Sequence, residues 1–132
     1  MTKLGAPYRN EADMSVTIYH NPRCSKSRET LNLLKERSIE PTVIDYMKEP
    51  PDAATLGRLL DMLGREPRDL IRKKENEYKE LNLANPDLTR AQLIAAMIEH
   101  PRLIERPIVV TGGKAALGRP PEQVLDILNG DR

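Results

Sequence analysis

Apolar residues first settle into a regular pattern at Val16 and Ile18, which alternate with polar neighbours through Tyr19, the period of a strand with one buried face. The period then changes. Thr30, Leu31 and Leu34 fall at helical spacing with the charges pointing the other way, which predicts a helix opening near Ser25 or Lys26. Pro41-Thr42-Val43-Ile44-Asp45-Tyr46 reads as a second strand, and strand, helix and strand in so short a span imply a parallel pair. After Pro50-Pro51-Asp52, the residues Leu56, Leu59, Leu60 and Leu63 repeat along one helical face, and Gly64 is placed to end that helix. A shorter helical piece over residues 67–73 and a polar stretch through Lys79 follow. Thr89 with Gln92 forms a capping box, Leu88 and Leu93 occupy the two positions of a hydrophobic staple, and the helix they start ends near His100-Pro101. The apolar run Pro107-Ile108-Val109-Val110 closes in Thr111-Gly112-Gly113-Lys114, a hairpin turn leading to a short strand at residues 115–117. Pro120-Pro121-Glu122 opens a last helix bearing Val124, Leu125 and Leu128. The order is βαβ, an all-helical middle, then ββα, an α/β chain whose mixed sheet is flanked by helices.

Residues 1–13 show no such period. They are read as a disordered leader or tag, with Met14 a candidate natural start and residues 14–132 a single domain. At 132 residues the chain is long enough for one domain with a genuine core and too short to argue for two. Acids and bases are interspersed and the formal charge is +1, so no electrostatic footprint for nucleic acid is present and any anion chemistry must be local. One cysteine excludes an intrachain disulfide framework and a thiolate metal cluster, so a free thiol in a reducing cytoplasm is expected, with no metal and no bound cofactor. No apolar run approaches the roughly 18 residues of a membrane span. No membrane partner is expected, and a monomer is.

That cysteine, Cys24, sits where the first strand turns into the first helix. A thiol at a helix N-terminus faces unsatisfied N–H groups and the positive end of the helix dipole, which favour thiolate. Arg23, Lys26 and Arg28 are near in sequence. The alternative is a small buried hydrophobe, against which the polar Asn-Pro-Arg-Cys-Ser-Lys-Ser-Arg setting argues. Ser27 stands where a second cysteine would make Cys-x-x-Cys, so any disulfide partner for the sulfur must come from outside. His20 either supports the sulfur or faces solvent from the strand end. Arg72, Arg106 and Arg119 form the next constellation, since arginine forks bind tetrahedral oxyanions bidentately; each is otherwise a solvated surface residue, and Arg72-Lys73-Lys74 reads most simply as a solvated helix face. Pro107 opens a strand, with a trans or a cis bond before it.

Taken together, Ile18-Tyr19-His20-Asn21-Pro22-Arg23-Cys24, Leu70-Ile71-Arg72-Lys73, Glu105-Arg106-Pro107-Ile108-Val109-Val110 and Gly118-Arg119-Pro120-Pro121-Glu122 resemble the glutaredoxin-coupled arsenate reductases, across about residues 15 to 128. Within that family the Cys-Ser-Lys-Ser-Arg sequence is similar to a subgroup without the small Gly that commonly follows the cysteine. The resemblance implies a thioredoxin-like fold with a helical insertion and Cys24 as nucleophile. It further implies Arg72, Arg106 and Arg119 as oxyanion ligands, His20, Ser27 and a cis Pro107 in support, arsenate as substrate, glutathione as co-substrate and glutaredoxin as partner. Two alternatives stay open: a monothiol oxidoreductase acting on another substrate, and an RNA-polymerase-binding regulator on the same fold. The redox switch of that regulator uses Cys-x-x-Cys, which Ser27 removes.

Overall fold

A computed structural model of the chain describes residues 15–128; the leader expected over residues 1–13 lies outside the described residues. Strand β1 (Val16–His20) lies at the centre of the sheet, its alternate residues Val16, Ile18 and His20 buried. Helix α1 (Ser25–Glu36) follows and returns the chain to β2 (Thr42–Asp45), parallel to β1. The middle of the chain is helical, with α2 (Ala53–Leu63), α3 (Pro67–Leu70), α4 (Asn76–Glu80) and α5 (Arg90–Glu99). A 3-10 turn (Pro101–Leu103) leads to β3 (Ile108–Thr111), antiparallel to β1, and a hairpin leads on to β4 (Lys114–Leu117). The chain closes with a 3-10 turn (Pro121–Val124) that continues into α6 (Leu125–Leu128). The sheet order is β2-β1-β3-β4, the mixed α/β arrangement expected from the pattern.

The sheet is covered on both faces. Val16, Ile18 and Val109 pack with Leu34 of α1 and Val124 near the C-terminus. Ile108 and Leu117 point the other way, into a larger core with Leu56, Leu59, Leu60, Leu93 and Met97 from the helical middle. β1 therefore has no solvated face: Tyr19, polar in the alternation, packs against that second core. The predicted capping box at Thr89 and the predicted stop at Gly64 are present, and Asp52 adds a cap that was not predicted. Asp52 accepts from the Thr55 N–H at 2.8 Å, and Thr89 and Gln92 bond reciprocally as a capping box. Gly64 ends α2 at φ 67°, the left-handed conformation that glycine takes without a Cβ penalty.

The structure differs from the pattern in three places. The helix expected over residues 67–73 stops at Leu70, because Ile71 is extended and forms an isolated antiparallel bridge with Ile104. The polar stretch through Lys79 runs into α4, a helix with no fully buried side chain and only Tyr78 packing partly on the core, which leaves no apolar period to read. The last helix begins as a 3-10 turn and is α-helical only from Leu125.

Candidate active site

Asn21 makes the turn that presents the sulfur. Its backbone carbonyl accepts from the Cys24 N–H at 3.0 Å and its side-chain Oδ1 from the Arg23 N–H at 3.0 Å, an Asx turn that ends β1 and sets the start of α1. Cys24 is the N-cap of α1, its backbone extended, and no acid stands in the first turn of that helix. The sulfur thus meets the exposed N–H groups itself. Burial pushes the thiol up, but the Ser27 N–H, the hydrogen bond and charge of the Arg106 guanidinium, and the Lys26 N–H outweigh it, and the net result is a thiol held below its ordinary value.

Ser27 is completely buried beneath this turn. Its Oγ accepts from the Asn21 N–H at 3.0 Å and lies 2.6 Å from Nδ1 of His20, so that ring nitrogen is committed to the serine and the pair ties the end of β1 to the first turn of α1. Burial pushes the His20 imidazole below the usual histidine range; Asp45 opposes this, and Arg28 and Lys35 add to it. Tyr46, 1% exposed, closes the floor: its hydroxyl donates to the Ile104 carbonyl at 3.4 Å, and burial drives it up to about 12.

The arginines arrive from separate elements. Arg106 and Arg119 each precede a cis peptide bond, to Pro107 and Pro120. The first was one of two alternatives open in the sequence; the second had no signal there. Arg119 Nη1 reaches to 3.8 Å from the Cys24 sulfur and donates to the Arg106 carbonyl at 3.1 Å. Arg106 Nη1 donates to the Arg102 carbonyl at 3.3 Å, while its buried Nε has no partner among the described residues. Gly118 makes this convergence possible, for a Cβ there would collide with Thr30 of α1 and stand 2.8 Å from Cγ of Pro107.

Arg72 is one step removed. The Ile71–Ile104 bridge, with Arg72 N–H to the Leu103 carbonyl at 2.7 Å and Glu105 N–H to the Leu70 carbonyl at 2.9 Å, sets it beside Glu105. Its Nη1 donates to Glu105 at 2.7 Å and its Nε to Glu75 at 3.2 Å. The solvated helix face predicted for Arg72-Lys73-Lys74 is thereby corrected: the segment is not helical, and Arg72 is half-buried in ion pairs while the two lysines are exposed. Arg106 and Arg119 meet at the sulfur, and Arg72 is linked to Arg119 through Glu105. A cleft of about 590 Å³ opens beside the turn, lined among others by Asn21, Arg23, Lys48, Glu75, Arg102 and Arg106. A second, of about 390 Å³, lies at the other end of the sheet around Val16, Ile39 and Ile127.

Three residues of this arrangement, Asn21, Tyr46 and Glu105, were not singled out from the sequence. Asn-Pro was a legible turn signal. Tyr46 and Glu105 had none, because their partners lie far along the chain.

A mixed sheet with a helical insertion and one cysteine at the start of its first helix defines a single-thiol protein of thioredoxin-like fold, and the comparison with a solved structure agrees. An arsenate reductase from Vibrio cholerae superposes with a TM-score of 0.85 at 59% identity, covering 87% of this chain and 98% of that one. The chain belongs to the ArsC family, whose model matches residues 19–127. An arsenate reductase from Haemophilus influenzae is 51% identical over 116 residues, 87% of this chain and all of that protein. An Escherichia coli K12 protein named only "Uncharacterized protein YfgD" is 62% identical over 114 residues, 86% of this chain and 96% of that one. Among the described residues no helix is long and apolar enough to cross a membrane.

Proposed function

We propose that the chain reduces arsenate to arsenite with electrons from glutathione, in the reducing cytoplasm and in partnership with glutaredoxin. The observation that carries this reading is the Cys24 sulfur at the N-terminus of α1 with Arg119 Nη1 at 3.8 Å, its thiol held below the ordinary value with the Arg106 charge among the causes. The names of the Haemophilus and Vibrio relatives supply the substrate.

The Cys24 thiolate attacks As(V), an arsenate oxygen leaves as water after protonation, and a sulfur–arsenic bond forms. Arg106 and Arg119 neutralise the oxygens whose charge shifts in that step, and the partnerless Nε of Arg106 is a donor waiting for an oxygen. Glutathione thiolate, approaching through the cleft beside Arg23, Lys48 and Arg102, then attacks the Cys24 sulfur. The sulfur–arsenic bond breaks with its electron pair on arsenic, which leaves as arsenite, and Cys24 is left as a mixed disulfide with glutathione. Since Ser27 replaces any resolving cysteine, glutaredoxin removes the glutathionyl group by thiol exchange and restores the thiolate. Throughout, His20 and Ser27 hold the turn, and no bound cofactor takes part.

The test follows NADPH oxidation with arsenate, glutathione, glutaredoxin and glutathione reductase present, comparing the unaltered chain with Cys24→Ser. Arsenate-dependent turnover that disappears in the variant is expected. Absence of turnover in the unaltered chain, with the thiol still acidic, assigns the site to a monothiol oxidoreductase with a different substrate.

A further inference from the structure

Glu105 stands among the arginines, and the chemistry above gives it nothing to do. Its Oε1 accepts from Arg72 Nη1 at 2.7 Å and lies 3.5 Å from Arg119 Nε. One carboxylate oxygen therefore draws on two of the guanidinium groups that oxyanion binding requires. The Nε of Arg72 is taken as well, by Glu75 at 3.2 Å, and Glu75 is held in turn by Arg102 at 2.7 Å. With Nε and Nη1 each bound to a carboxylate, two of the five N–H donors of Arg72 are engaged before any substrate arrives.

A guanidinium fork fits two oxygens of a carboxylate and two of a tetrahedral oxyanion by the same geometry. A carboxylate already in place is thus a rival for it. The Glu105 and Arg119 side chains are 26% and 34% exposed, so the pair is reached by solvent and is open to exchange. Resting on the oxyanion reading above, we infer that Glu105 is an internal competitor for the place of the substrate. Its carboxylate holds Arg72 and Arg119 in the resting protein, and an arriving tetrahedral oxyanion displaces it. The exchange selects for charge: an anion with two negative charges gains more from the guanidinium groups than the single charge it evicts, whereas a monoanion gains nothing. Glu105 is a specificity-determining residue, acting on substrate affinity through the arginines.

The sign of one substitution separates this role from a merely structural one. Glu105→Gln keeps an oxygen for Arg72 and removes the charge, so a competitor's loss tightens anion binding while a scaffold's loss weakens it. Inorganic phosphate, a tetrahedral oxyanion that thiols do not reduce, is titrated as a protectant of Cys24 against iodoacetamide in the full chain. Glu105→Gln is expected to bring half-protection at about fivefold less phosphate, the size of one partly exposed charge pair, and Glu105→Asp, which keeps the charge, to stay near the unaltered chain. Unchanged or weaker protection in Glu105→Gln overturns the inference, as does an Asp variant that tightens like Gln. Phosphate that protects neither chain overturns the oxyanion site itself and the inference with it. A measurement on the unaltered chain decides independently of variant folding: the Glu105 carboxyl NMR resonance is expected to move as phosphate is added, and one that stays fixed overturns the displacement.

Discussion

The sulfur of Cys24 is pulled two ways. Partial burial favours the neutral thiol, while the Ser27 N–H, the Arg106 guanidinium and the Lys26 N–H favour thiolate and prevail. Alkylation rate against pH is therefore expected to show a midpoint below that of free cysteine, and Arg106→Ala to move the midpoint upward and slow alkylation at neutral pH several-fold. A midpoint that Arg106→Ala leaves in place refutes this account of the sulfur. The sign for stability follows from the same shift: with the folded thiol more acidic than the unfolded one, the stabilisation is present above the unfolded value and lost as pH falls through the folded one. Cys24, its turn and its unresolvable thiol were legible in the sequence because each depends on neighbours within a few residues. Glu105 was not, since its meaning lies in Arg72 and Arg119, 33 and 14 positions away along the chain.

At the scale of elements, local chemistry set most boundaries. Asp52 and Thr89 start their helices and Gly64 ends one, each through a bond or a backbone angle that its own residue type supplies. Gly118 is different: its need for no side chain comes from α1 and the β3 entry pressing on it together. Gly118→Ala is expected to cost about 1–3 kcal/mol by overpacking, measured as a lower urea midpoint, and to reduce activity further by displacing the neighbouring Arg119 from the sulfur. Unchanged stability would mean that Thr30 and Pro107 can yield. α4 and the early end of α3 escaped the pattern for one reason. Neither depends on apolar period: α4 has no fully buried side chain, Glu77 at its start pairs with Arg102 at 3.7 Å, and α3 is stopped by the pairing of Ile71 with Ile104.

Across the whole molecule, the helical middle serves two purposes. It covers the second face of the sheet, and by the Ile71–Ile104 bridge it brings Arg72 to Glu105 beside the cysteine loop. Arg72 pairs with Glu105 and Glu75, whereas Arg106 is the guanidinium that acidifies Cys24, so the two contributions separate. Arg72→Ala is expected to raise the KM for arsenate about tenfold, as the loss of one charged hydrogen bond, and to leave the thiol titration where it is; a shifted titration contradicts the arrangement. The sequence by itself determined the α/β order, the parallel first pair, the helix caps and the placing of a lone thiol at a helix start. These follow from periodicity and from turn chemistry, which act over a few residues. Tertiary structure decided which arginines meet the sulfur, that Arg72 faces carboxylates instead of solvent, and that Glu105 joins Arg72 to Arg119. Those are through-space relations among segments far apart in the chain, and charge and distance fix them only once the sheet and its two cores have closed.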